Sequence, residues 1–403
     1  MPEHYRVGAT AVAVTILLVV PSVPPMGPVV SVGGGQDPPG LGYRFVTHTI
    51  ATGLTGGYQP AVVDLNRDGR PDVIGLSVRL DELAWFKNPG WQKHILTTGL
   101  NRAINLAPRD LDGDGVPELA VAHDFGTSHD SSLGILSILT HQGDPTRPWQ
   151  VREIDRTPTV HRIRWADIDG TGRPVLVTAP LVGAAASAPE YRDTVPIFWY
   201  RPGDWSRRIV TESEQGVVHG LLAKPWLDPG RDAVFSASFA GVHVHRFVNG
   251  QWIRSRMTGG DPAPSPRSGS SEVEIGHLGT LAFMATIEPW HGNQVVVYRE
   301  DGEMWTRRVI DTIDGGHTIV TADFDGDGRD EIVTGDRGDT RSLYLYTAQD
   351  PDGVAWSRRV IDDGDMSASG CVVADLDDDA RVDLVCIGGG TANMKWYQNL
   401  APR

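Results

Sequence analysis

Three histidines stand where chemistry can occur: His161 in TVHRIRW, His219 in VVHGLLA and His317 in DGGHTIV. Each opens an apolar run, and the spacing from His161 to Ala179 recurs from His219 to Ala237 and from His317 to Gly335. Equal spacing puts the three imidazoles in one register of a repeat. Neutral imidazoles meeting around a point, joined by a carboxylate, are a ligand set for zinc or a similar transition metal. Inheritance of one packing residue from repeat to repeat would leave the same pattern. The metal reading makes the sharper demand, that the ring nitrogens approach within a few ångströms of one another. His243 and His245 alternate along GVHVHRF, a weaker signal, and His48, His94 and His141 fall in outer strands or loops.

A second motif marks the elements that must position these residues. DLNRDGRPD from Asp64, DLDGDGVPE from Asp110, DIDGTGRPV from Asp167, DFDGDGRDE from Asp323 and DLDDDARVD from Asp375 each lie between short apolar runs. That is the pattern of strand, Asp/Gly turn, strand. Copies recur roughly every 40 to 60 residues, and a unit of short strands without helical period is a propeller blade. Acids at alternate positions surround one point with oxygens and suit calcium. The candidate calcium turns are Asp64, Asn66, Asp68 and Asp72; Asp110, Asp112, Asp114 and Glu118; Asp323, Asp325, Asp327 and Glu331; and Asp375, Asp377, Asp379 and Asp383. The competing role is that each Asp caps its own turn through backbone hydrogen bonds. Either role is structural.

Aligned on these turns, residues 43–403 read as an all-β, seven-bladed propeller of four-stranded blades. Inner strands begin near Gln59, Asn105, His161, His219, Glu272, His317 and Ser369. The last blade ends at MKWYQNL with no outer strand, and YRFVTHTI at 43–50 resembles the outer strands elsewhere. The N-terminal segment is therefore expected to close the ring, which removes exposed sheet edges. The acidic turns lie on one face, so inner-strand starts and the loops after second strands converge around the channel mouth on the other. Tyr58, Asn105, His161, Arg162, His219, Glu272 and His317 gather there, with His123, Glu288, Trp290, His291 and Arg337 from the loops.

The chain has 403 residues, 47 Gly and 28 Pro, a turn-rich composition suited to such an array. A formal charge of -15 argues against nucleic acid or an anionic membrane surface as partner. Residues 1–30 read as a signal peptide or N-terminal anchor: the apolar run at 7–20 is short for a membrane span. Residues 31–42 form a Pro/Gly-rich linker. The protein is thus expected to be exported, periplasmic or extracellular. Cys371 and Cys386 fall in adjacent strands of the last blade, either paired or as buried thiols.

The acidic turns resemble FG-GAP and VCBS repeats, a likeness specific for fold alone. TVHRIRWADIDG, VVHGLLA, ATIEPWHGNQVVVYRE and DGGHTIVTADFDGDGRDEIVTGDRG together resemble the β-propeller domain of the aldos-2-ulose dehydratase family, over roughly residues 43–400. The resemblance implies a lyase in which zinc polarises the keto group of a sugar such as 1,5-anhydrofructose while a histidine moves protons. Carried over, His161 is the candidate acid/base, and His219, His317 and His291 with Glu288 are the candidate zinc group. Arg162 and Arg337 join as catalytic candidates able to hold a sugar oxygen or carboxylate through bidentate contacts. Tyr58, Asn105, His123 and Trp290 are expected to contact the sugar. The chemistry is coherent: removing a proton beside a carbonyl builds charge that a Lewis acid stabilises, and a neutral imidazole near pH 7 takes that proton. A carbon-oxygen hydro-lyase is expected. The alternatives are a polysaccharide lyase on uronate-containing glycans and a non-catalytic, calcium-stabilised carbohydrate-binding or adhesion propeller.

Overall fold

Among the described residues, apolar runs rich in β-branched and aromatic residues and broken by Asp/Gly turns form strands. The computed structural model describes residues 43–302 and 304–401. The strands assemble into seven four-stranded antiparallel sheets, a seven-bladed propeller as expected. Six blades are simple meanders, each inner strand followed by its three partners. The seventh takes its outer strand from the N-terminal side: Phe45–Thr52 pairs with Asn393–Asn399, with His48 opposite Trp396. The ring closes as the sequence suggested. The expected signal or anchor and linker lie outside the described residues.

The core sits between blades. Trp85 and Leu76 of the first blade pack with Leu106 and Leu139 of the second, and Phe235 and Val244 of the fourth pack with Val296 and Tyr298 of the fifth. Each sheet therefore buries both faces against its neighbours, which holds every inner strand at a set angle to the axis. Second strands such as Asp72–Ser77 and Val175–Pro180 are buried throughout, whereas outer strands such as Gln150–Arg156 are largely exposed.

One irregularity of the inner strands matters for function. The pairing register slips by one residue between Gly57 and Gln59, Val160 and Arg162, Val218 and Gly220, and Ala368 and Gly370. The extra residues are Tyr58, His161, His219 and Ser369. A bulge leaves its residue unpaired and re-aims the side chain. Four blades thus present an equivalent residue at one level of the channel. Cys371 stands opposite Cys386 in the last blade, and the two form a disulfide.

Candidate functional site

His219, His291 and His317 each offer a ring nitrogen, and the three nitrogens lie within 4.8 Å of one another. His219 Nε2 and His291 Nε2 are 3.1 Å apart. Two nitrogens on one tetrahedral zinc, each at about 2.0–2.1 Å, are separated by about 3.3–3.4 Å, so the spacing fits. The far side of two rings is pinned. His317 Nδ1–H donates to the Ser369 carbonyl at 2.6 Å, and His219 Nδ1 faces Glu272 Oε1 at 2.9 Å and Ser271 Oγ at 3.2 Å. Those contacts leave Nε2 of both rings for a metal, the usual arrangement behind ligating histidines. Burial and the neighbouring Arg162 and Arg337 charges hold His219 and His317 well below the ordinary imidazole range, so both stay neutral near pH 7. His291 is lowered by the same causes and is the exposed member, at the mouth. Three protein ligands with an open side are typical of a catalytic rather than a structural zinc site.

His161 lies beside the trio without joining it. Its ring centroid is 4.8 Å from that of His219, and its Nε2 is 2.8 Å from the Tyr58 hydroxyl. Its Nδ1 is buried and has no hydrogen-bond partner among the described residues. Burial, then Arg162, keep this imidazole well below its usual value.

Several expectations are corrected. Glu288 is not among the converging ligands: Oε1 accepts from Ser270 at 2.9 Å, Thr286 at 2.8 Å and Tyr298 at 2.7 Å, and Oε2 from Arg307 Nε at 2.8 Å. The carboxylate at the trio is Glu272, in register with the histidines but on the strand Glu272–Leu278. Arg162 is a wall of the site rather than a free catalytic cation, donating from Nε to the His219 carbonyl at 2.7 Å and pairing with Glu272. Tyr58 lines the channel, with its hydroxyl on His161 Nε2 and the Arg162 guanidinium over one face of its ring at 5.7 Å. Asn105 is fully buried and engaged with Gln59, Ile163 and Arg164 of neighbouring inner strands. His123 bonds Ser137 at 3.0 Å within its own blade. Trp290, half-buried, keeps its place beside the site, 4.8 Å from the His291 ring and packed on Tyr191 and Phe239.

Arg337 reaches the cluster from the loop after the second strand of blade six. Its Nε donates to the Gly315 carbonyl at 3.2 Å, and it makes no ion pair among the described residues. Along the axis, inner strands of all seven blades line a cavity of about 400 Å³ that begins at Tyr58, Arg162, Glu272 and His317.

On the opposite face, Asp110, Asp112 and Glu118; Asp323, Asp325 and Glu331; and Asp375, Asp377 and Asp383 each converge within 4.8 Å. The last acid of each turn is buried and accepts a backbone N–H, from Leu111, Phe324 and Leu376 respectively. Burial and the neighbouring acids raise Glu331 to about 8 and Asp383 to about 6. Buried carboxylates pushed up in this way fit a cation. The first turn does not form such a group: Asp68 pairs with Lys87 at 3.2 Å, Asp64 caps Asn66 and Gly69, and Asp72 accepts from Leu65, Asn66 and Asn88. Asp114, Asp327 and Asp379 also lie outside the groups and cap the N–H two residues on. Capping is not confined to them, since the first acid of each convergent group, Asp110, Asp323 and Asp375, also accepts backbone N–H bonds within its turn.

Residues 134–301 match the family model described as "Aldos-2-ulose dehydratase, beta-propeller domain", and residues 323–386 match "FG-GAP-like repeat". The first match holds His161, His219, Glu272 and His291, while His317 lies beyond it. Aldos-2-ulose dehydratase of Phanerodontia chrysosporium is 26% identical over 293 residues, covering 64% of this chain. The chain spans about a third of that relative's length, 31%. This chain is a seven-bladed β-propeller that matches an FG-GAP-like repeat over part of its length and is distantly similar to a dehydratase with a propeller domain.

Proposed function

We propose that this propeller is an exported, zinc-dependent carbon-oxygen lyase that eliminates water from a keto-sugar such as 1,5-anhydrofructose or a related oxidised glycoside. The observation that carries the reading is the convergence of His219, His291 and His317 with two of the rings pinned from behind. Zinc bound there supplies a Lewis acid for the keto oxygen. With Nε2–H of His161 donating to Tyr58 Oη, the lone pair of Nδ1 is free to take the proton from the carbon beside the keto group. The carbon-oxygen bond to the leaving hydroxyl then breaks as the new double bond forms. The proton held at Nδ1 goes to the departing oxygen, which leaves as water. Arg162 holds the His219 backbone and Glu272 in place while this occurs. The three convergent acidic turns hold calcium and stiffen the far face. The Cys371–Cys386 disulfide supports export to an oxidising compartment.

Elimination creates a conjugated double bond, so the test is ultraviolet absorbance. Purified protein containing zinc should raise the absorbance of 1,5-anhydrofructose, and chelator or His161→Ala should abolish the rise. A zinc-free protein that binds sugars but turns over neither keto-sugars nor uronate polymers would instead be a carbohydrate-binding propeller.

A further inference from the structure

The charges around the trio are unbalanced. Arg162, Arg164 and Arg337 face this part of the channel, and Glu272 is the carboxylate that answers them, through its pair with Arg162. The next carboxylate along the channel, Glu274, pairs with Lys224 at 2.5 Å. Arg164 is tied to Asn105 and to the Ile163 carbonyl. Arg337 differs from both. Its backbone N–H is held by the Asp314 carbonyl, and the nearby Asp336 carboxylate already accepts from Asp314, Gly338 and Thr340. The terminal nitrogens of Arg337 therefore make no hydrogen bond or ion pair among the described residues, while Nε is fixed on Gly315. Burial lowers this guanidinium from its usual value, and its charge is felt by His219, His291 and His317. Three neutral imidazoles with a divalent cation would add to the excess. In a chain with 51 acids against 36 bases, a half-buried cation left without an acid at the functional mouth calls for an anion from outside.

We infer that the sugar acted on carries a carboxylate, bound by the two free terminal nitrogens of Arg337, besides the keto group turned to the trio. This rests on the lyase reading and makes keto-sugars that also carry a carboxylate its preferred substrates, with neutral 1,5-anhydrofructose the poorer one. A planar fork with both nitrogens free matches a carboxylate bidentately, and a neutral hydroxyl would leave the charge uncompensated.

Calorimetric binding of methyl glucuronide and methyl glucoside, to zinc-loaded and to chelated protein, tests the inference without turnover. The glucuronide should bind about 10- to 100-fold more tightly, as expected for a charge-assisted pair. Arg337→Met should erase the difference and Arg337→Lys should restore part of it, each variant being checked by its thermal transition. Equal affinity for both glycosides, or an unchanged preference in Arg337→Met, overturns the inference. So does tighter binding of a sulfated glucoside than of the glucuronide. A preference for the glucuronide without elimination of any oxidised sugar leaves the anion site standing and removes the lyase. Elimination from 1,5-anhydrofructose with the glucuronide ignored does the reverse.

Discussion

Glu272 and Glu288 carry the same carboxylate, sit one strand apart, and do different work because of where their oxygens point. Glu272 stands behind His219 and holds the ring with its Nε2 outward. Removing such an outer partner weakens metal binding about 10- to 100-fold. Glu272→Ala should show that loss in a competition titration of zinc against a chromogenic chelator. Glu288 instead anchors four donors in the wall of blade five, Arg307 among them. Glu288→Ala removes the buried acceptor of all four donors and leaves Arg307 with Gln294 and a 3.9 Å pair to Asp261, and breaking a buried pair from one side costs about 3–5 kcal/mol. Urea denaturation should report a decrease of that order, and an unchanged midpoint would contradict the assignment. The IEPWHGNQ phrase invited the opposite assignment, since Glu288 and His291 are neighbours in sequence. Sequence proximity cannot tell which side of a strand end a carboxylate faces.

At the scale of elements, placement depends on bulges and on one tight loop. The equal spacing of His161, His219 and His317 showed that they share a level, but the register slip that re-aims the first two leaves no mark in composition. His291 is carried by a loop in which Gly292 N–H donates to Pro289 and the Gly292 carbonyl accepts from Gly316. A Cβ at position 292 would lie 2.2 Å from the Glu288 carbonyl oxygen, a backbone atom that cannot swing away. Gly292→Ala should therefore displace His291 and lower zinc affinity. Its far-ultraviolet dichroism should stay that of a propeller, because the clash is confined to a loop between strands.

For the whole molecule, ring closure and the acidic face decide stability. Deleting residues 43–52 removes the outer strand of the last blade and exposes the edge of Asn393–Asn399. Such a truncation should aggregate on light scattering where the intact chain does not. Glu331 raised to about 8, against an ordinary value near 4.5, sets a pH dependence of defined sign. Between those values the native state binds more protons than the unfolded one, so this group's stabilisation is present at low pH and is lost as pH rises toward 8. In chelator, Glu331→Gln should therefore melt above the wild type at pH 8 and near it at pH 5; calcium should raise the wild type and leave the variant little changed. The repeat itself was legible in the sequence. Asp/Gly turns between apolar runs specify strand pairs locally, and the seven inner-strand starts aligned on the five turns specified seven blades with the N-terminal strand as the last outer one. Register and chain order also placed the histidines on one face. Only the tertiary structure decided which nitrogens meet, that Glu272 and not Glu288 stands behind them, and that Arg337 is left without an acid. Those outcomes depend on bulges, side-chain directions and contacts between blades far apart in the chain, none of which a local pattern encodes.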